Sequence, residues 1–139
     1  MKTKHILAFI VVALMPLAVM AQQQRLTPEQ EEKKMREGIE QLVLRYEDNL
    51  QLEVWQTFYV DSILTHNYAA LNEETKALSK NRVENFDLYQ MVSDKWEEAT
   101  YQAFQKILDE DQWAKYLKLG AARAKKARDK RAAKREGKK

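Results

Sequence analysis

The sequence predicts an all-α protein of about four helices, two of them long and amphipathic, ending in a basic helical tail. Three observations carry that prediction. After residue 21 the chain holds one proline, Pro28, and three glycines, Gly38, Gly120 and Gly137, while Glu, Lys, Gln, Ala and Leu abound. Apolar residues recur at three- and four-residue steps over long stretches. A helix-start pattern, Leu-x-x-x-Gln, occurs three times.

Residues 1–21 stand apart from the fold and read as a cleaved signal peptide. Lys2 and Lys4 give a basic start, residues 6–20 are apolar apart from Pro16, and Ala21 offers a cleavage point before Gln22. The apolar run is short for a membrane span. An export signal of this kind implies a periplasmic location. The chain has no cysteine, which excludes lipoprotein processing, a disulfide framework and a thiol nucleophile. An exported protein of this size without disulfides relies on its apolar core, or on an oligomer that shares one. Residues 22–120 form one helical domain and residues 121–139 the tail.

The first helix starts at Leu26-Thr27-Pro28-Glu29-Gln30. Thr27 is an N-cap, Pro28 sits where its missing N–H does no harm, and Gln30 can reach back to the cap. Met35, Ile39, Leu42, Val43 and Tyr46 then form one apolar stripe, and residues 47–49 read as a break. Leu52 and Gln56 mark the second start, with Glu53 in the cap slot. Residues 54–60 are rich in β-branched and aromatic side chains, so a short strand is conceivable. The three- and four-residue steps that continue through Ile63, Leu64 and Leu71 favour helix. Residues 72–81 are polar and read as a fraying helix end plus a connection. The next pattern runs from about residue 82 to 108, with Val83, Phe86, Tyr89, Val92, Trp96 and Ile107 on one side and Asp87, Asp94, Glu97 and Glu98 opposite.

The third start is the most completely specified. Leu108 and Trp113 occupy the positions of a hydrophobic staple, Asp109 caps, Gln112 closes the box, and Glu110 and Asp111 set negative charge at the positive end of the helix dipole. Trp113, Tyr116, Leu117 and Ala121 give this helix its packing face. Beyond Ala124 the face degenerates into Ala, Lys and Arg, so the tail reads as a projecting, partly frayed helix. Charge divides the same way: residues 22–117 carry 11 Lys/Arg against 19 Asp/Glu, and residues 118–139 carry 11 against 2.

Little catalytic chemistry is on offer. His66 is the one histidine after the leader, and a lone histidine on an apolar helix is structural. No Gly-rich phosphate loop, G-x-S-x-G or H-E-x-x-H occurs, and the acids at 109–111 are explained by their place at a helix start. The expectation is a non-enzyme with no metal and no cofactor. Trp55, Phe58, Tyr59 and Trp96 are candidates for client or interface contact, although helical spacing assigns most aromatic residues to the core. Arg123, Lys125, Lys126, Arg128, Lys130 and Arg131 are candidates for contact with an anionic surface. Nucleic acid is not expected as the partner of an exported protein.

Leu26-Thr27-Pro28-Glu29-Gln30 fits the pattern L-T-x-x-Q letter for letter, and Leu108-Asp109-Glu110-Asp111-Gln112 fits with Asp in place of Thr. Leu52-Glu53-Val54-Trp55-Gln56 keeps only Leu and Gln. With the leader, the cysteine-free helical body and the charged tail, this layout resembles the Spy/CpxP-type periplasmic proteins, the LTxxQ motif family. The resemblance implies a helical hairpin or cradle that forms an antiparallel homodimer. It also implies ATP-independent binding of unfolded or misfolded envelope proteins, or a role in sensing envelope stress. Members present a basic concave surface, whereas this body is acidic, so only a structural role passes to the matched motif residues. The alternative is a non-enzymatic interaction protein tethered to an anionic envelope surface by its tail.

Overall fold

A computed structural model describes residues 25–137; the leader read over residues 1–21 lies outside the described residues. The fold is all-α. Helix α1 spans Pro28–Leu50, α2 Val54–Lys80, α3 Phe86–Ile107 and α4 Glu110–Tyr116, followed by a π turn at Leu117–Ala121 and α5 at Ala122–Glu136. Since α4, the π turn and α5 follow one another without a loop, the chain forms four helical rods, the last bent at Gly120.

Each of the three Leu-x-x-x-Gln starts is found where the sequence placed it. Thr27 and Gln30 form a reciprocal box, with the Gln30 N–H donating to Thr27 Oγ1 at 3.2 Å and the Thr27 N–H to Gln30 Oε1 at 3.0 Å. Asp109 and Gln112 repeat it at 2.8 and 3.0 Å. At the second start the Glu53 N–H donates to Gln56 Oε1 at 2.9 Å, while the Glu53 carboxylate accepts from the Trp55 indole.

The ends differ from the reading. Residues 47–49 are no break: α1 runs on to Leu50, which is buried, and closes only when Gln51 turns left-handed at φ 55°. The run 54–60 is helix. Residues 72–80, read as a fraying helix end and the start of a connection, are regular turns of α2, and Glu74 there holds α3 by accepting from Lys95 Nζ at 2.6 Å and the Trp96 indole at 3.2 Å. That helix closes with Arg82 at φ 54°, its N–H on Ser79 O and the Val83 N–H on Leu78 O, the two bonds of a Schellman motif. Helix α3 therefore begins at Phe86 rather than residue 82, capped by Asn85, whose Oδ1 accepts from the Asp87 N–H at 2.9 Å.

Consecutive helices run antiparallel. Lys76 meets Glu31 and Asp61 meets Arg36 between α1 and α2, while Asn67 Nδ2 donates to Thr100 Oγ1 between α2 and α3. The core sits at one end, where the last turns of α1 and α3 meet the first turns of α2 and α4. Ile39, Val43, Leu50, Val60, Leu64, Phe104, Leu108 and Tyr116 are buried there, and Tyr46 packs edge-on against Phe104 and Tyr116 at 5.5 and 5.8 Å. The apolar stripe expected on α3 is displaced: Phe104 is fully buried, whereas Phe86 is 74% exposed.

The tail does not project. Helix α5 is regular to Glu136 and runs along α3 as the continuation of α4, with Gly120 at φ 120° forming the kink between them in a conformation only glycine adopts freely. A Cβ at that position meets open space, so the cost of alanine there lies in the backbone alone. Gly120→Ala is expected to lower stability by about 1–3 kcal/mol, read as a shift of the urea midpoint. An unchanged midpoint would mean that the bend is imposed by something other than this residue.

Candidate functional site

Two of the three motif glutamines have a role beyond capping. Gln56 and Gln112 are buried, and their carboxamides face each other. Gln56 Nε2 donates to Gln112 Oε1 at 2.7 Å and to Ile107 O at 2.9 Å; Gln112 Nε2 donates back to Gln56 Oε1 at 2.9 Å and lies 3.4 Å from Gln51 O. Each amide oxygen thus caps its own helix and accepts from the other glutamine. Each amide nitrogen also serves a carbonyl of the opposite turn, Gln56 that of Ile107 at the end of α3 and Gln112 that of Gln51 at the end of α1. The turn from α1 to α2 and the turn from α3 to α4 are interlocked by the same residue of the same motif. Gln30 lies exposed at the far end of α1 and joins nothing of this kind.

This lock holds the first turns of α2 in place, and the outward face of those turns is apolar. Val54 is 90% exposed and Phe58 67%; Trp55 and Tyr59 are about half exposed beside them. The Tyr59 ring stands edge-on to both Trp55 and Phe58, at 6.1 and 5.8 Å. The buried positions Gln56, Val60, Leu64 and Asn67 fall on the other side of the helix. Three of the four residues singled out for client contact therefore share one patch. Trp96 does not join them: it is half-buried at the seam of α2 and α3, with its indole donating to Glu74, Lys95 above its ring and His66 at its edge. Phe86, Leu88 and Met91 form a second exposed apolar group on the first turns of α3, at the opposite end of the hairpin.

Between α1, α2, α3 and the π turn lies a half-open cavity of about 390 Å³, with Leu64 and Leu71 among its apolar walls and Tyr46, Tyr68, Tyr101 and Tyr116 presenting four phenol rings. Burial, with Tyr68 adding to it for Tyr46 and Tyr46 for Tyr116, pushes the hydroxyls of Tyr46 and Tyr116 above the ordinary tyrosine range; burial and Glu97 do the same for Tyr68. These three phenols stay neutral at any physiological pH. The cavity can receive an apolar or aromatic side chain and offers it hydroxyl groups.

Helix α5 closes one side of this cavity, and charges hold it. Asp94, nearly buried on α3, accepts from Arg131 at 3.0 and 2.6 Å and from Arg135 at 3.2 Å. Glu98 accepts from Arg128 at 3.2 and 3.1 Å, with Lys125 at 3.5 Å, and Glu97 lies 3.5 Å from Arg128. The Arg128 guanidinium also sits 5.6 Å from the Tyr101 ring centre and is itself buried. So the acidic side of α3, placed by the sequence opposite its apolar stripe, carries another helix. Of the six tail residues assigned to an anionic surface, Lys125, Arg128 and Arg131 are engaged within the molecule, and Arg123, Lys126 and Lys130 are exposed. Lys134 belongs with the exposed set and escaped the sequence reading, although its spacing from Lys130 is one helical turn.

Among the described residues no group of three His, Cys, Asp or Glu side chains is placed to hold a metal ion, and no helix is long and apolar enough to cross a membrane. The chain matches no protein-family model, no curated protein and no solved structure.

Proposed function

We propose that this protein is an ATP-independent, chaperone-like binding protein for unfolded or aggregation-prone envelope proteins. It is non-enzymatic, exported to the periplasm, and homodimeric as the LTxxQ resemblance implies. The observation that carries this reading is the patch of Val54, Trp55, Phe58 and Tyr59. Four large apolar side chains in two adjacent turns stand in water on a molecule rich in charge, and such patches mark interaction sites. Burying one aromatic side chain is worth about 1.5–3 kcal/mol, enough for transient capture of an exposed apolar segment when several act together. The surrounding acidic body keeps the complex soluble.

The test is light scattering of a chemically unfolded client, without ATP, with the purified protein and its Trp55→Gln/Phe58→Gln variant. The native protein is expected to suppress aggregation. The variant should need roughly tenfold more protein for the same effect, the equivalent of about 1.4 kcal/mol. Phe58 is largely and Trp55 half exposed, and neither belongs to the core cluster, so the fold should be retained. No suppression by the native protein would sink the reading. Equal suppression by both would move the working surface away from the start of α2.

A further inference from the structure

We propose that the outer face of α5 is a docking stripe for an anionic lipid bilayer. At 3.6 residues per turn, Arg123, Lys126, Lys130 and Lys134 fall within about 80° of the helix circumference and span roughly 16 Å. All four are exposed, and none takes part in an ion pair or side-chain hydrogen bond among the described residues. The opposite side of the same helix is the one fastened to α3 by Lys125, Arg128, Arg131 and Arg135. The two acids of α5 lie off the stripe, and Asp129 is paired with Lys125.

What reads in the sequence as one undivided basic tail is thus sorted by the fold into two halves. The inner half is neutralised by Asp94, Glu97 and Glu98. That docking relieves the self-repulsion of so many cations on one helix, keeps the helix regular, and turns the remaining four away from the body. The body has an acidic excess of its own, 19 Asp/Glu against 11 Lys/Arg over residues 22–117, so an anionic plane attracts this face and repels the rest. Orientation follows from charge alone.

The chemistry beside the stripe selects the partner. Its neighbours on the outer face are alanines, with no aromatic ring to stack on a base, which disfavours single-stranded nucleic acid. No large apolar side chain accompanies it either, so α5 adsorbs on headgroups without entering the acyl region. A single straight file of cations suits a flat array of mobile anionic headgroups, each lysine or arginine adding its own increment of attraction. This surface is separate from the aromatic patch of α2, and either can exist without the other.

The experiment is co-sedimentation of the full chain with vesicles of equal parts phosphatidylglycerol and phosphatidylcholine, and with vesicles of phosphatidylcholine alone. Binding is expected on the anionic vesicles only, and at about 0.5 M salt it should be largely lost through screening. The variant R123Q/K126Q/K130Q/K134Q should weaken it by at least roughly tenfold, and K126Q/K130Q by several-fold, with unchanged helical circular dichroism. The double variant keeps the test decisive if the quadruple one misfolds. Equal binding to both vesicle types, binding indifferent to these substitutions, or stronger binding to a single-stranded oligonucleotide in place of vesicles would each overturn the proposal.

Discussion

Gln112→Ala is expected to lower the stability of the fold by about 2–4 kcal/mol, far more than the loss of an ordinary helix cap. The residue is buried, and its carboxamide accepts from the Asp109 N–H and from Gln56 Nε2 while its own nitrogen donates to Gln56 Oε1. Truncation leaves one face of the buried Gln56 amide without partners and takes the acceptor from the partly buried Asp109 N–H. Each buried polar group so stranded costs about 1–3 kcal/mol. Gln56→Ala strands the mirror set, the Glu53 N–H and the Gln112 amide, and should cost a similar amount. The two losses are not independent. In the double variant the Gln56–Gln112 bonds are absent from both sides, so its cost should fall short of the sum by about 1 kcal/mol or more. Gln30→Ala, an exposed cap at the far end of α1, should cost only about 0.5–1 kcal/mol. Urea denaturation of the three single variants and the double variant measures all of these terms. Strict additivity of Gln56→Ala and Gln112→Ala would show that the glutamines only cap their own helices.

The three helix starts carrying Leu-x-x-x-Gln were legible in this chain, while the start of α3 and the helix ends were not, for a physical reason. A start needs a side chain that accepts from a free N–H, and Thr27 and Asp109 do so within a motif; Asn85 does so too, but with no Leu-x-x-x-Gln around it the sequence pattern sets the start of α3 at about residue 82. An end commonly needs a residue that turns left-handed, and glycine is its usual signature. Here α1 and α2 close on Gln51 and Arg82, both at positive φ, and neither residue type announces a stop. The glycine that kinks the last rod, Gly120, was visible only as a composition count until its φ of 120° showed the bend.

The partnership of the glutamines had a signal that local reading passed over. The motif recurs at residues 52–56 and 108–112, each time directly after a helix end, which is what two interlocking turns require. The docking of α5 was likewise encoded. Asp94, Glu97 and Glu98 on α3 repeat at helical spacing, and so do Arg128, Arg131 and Arg135. Charge counting over whole segments erased this match, because it records how many cations there are and not which face they occupy. The aromatic patch was the reverse case: Trp55, Phe58 and Tyr59 were singled out together with Trp96, but periodicity alone could not say which side of so broadly apolar a helix would face water.

Acidification is expected to release α5 from α3 before the core unfolds. Burial by itself raises the pKa of the Asp94 carboxyl, but hydrogen bonds from Arg131, Gln90 and Arg135 outweigh it and hold the group below its ordinary range. Glu98 follows the same balance, with burial opposed by Gln102, Arg128 and Lys125. A carboxyl whose folded pKa lies below its unfolded one adds stability in full above the ordinary carboxylate range. That contribution fades as pH falls through this range and is gone below the lowered folded value. The contribution belongs to α5 docking, since few apolar contacts join α5 to α3 and its inner face holds Ala121, Ala124 and charged stems. The buried groups of the core, by contrast, are apolar or neutral amides, apart from Tyr116, which stays protonated. Hydrogen exchange through an acid titration should therefore show α5 amides losing protection while those of α1 to α4 keep it. Asp94→Asn should produce much of the same loosening at neutral pH. Because Arg131 and Arg135 are about a third exposed, screening reduces its cost to about 1–2 kcal/mol. Release also frees Arg128, Arg131 and Arg135, so Asp94→Asn should bind anionic vesicles several-fold more tightly than the native chain while opening the side of the tyrosine-lined cavity. Simultaneous loss of protection in all helices would mean instead that α5 is part of the cooperative core, and that its charges fasten the fold as a whole.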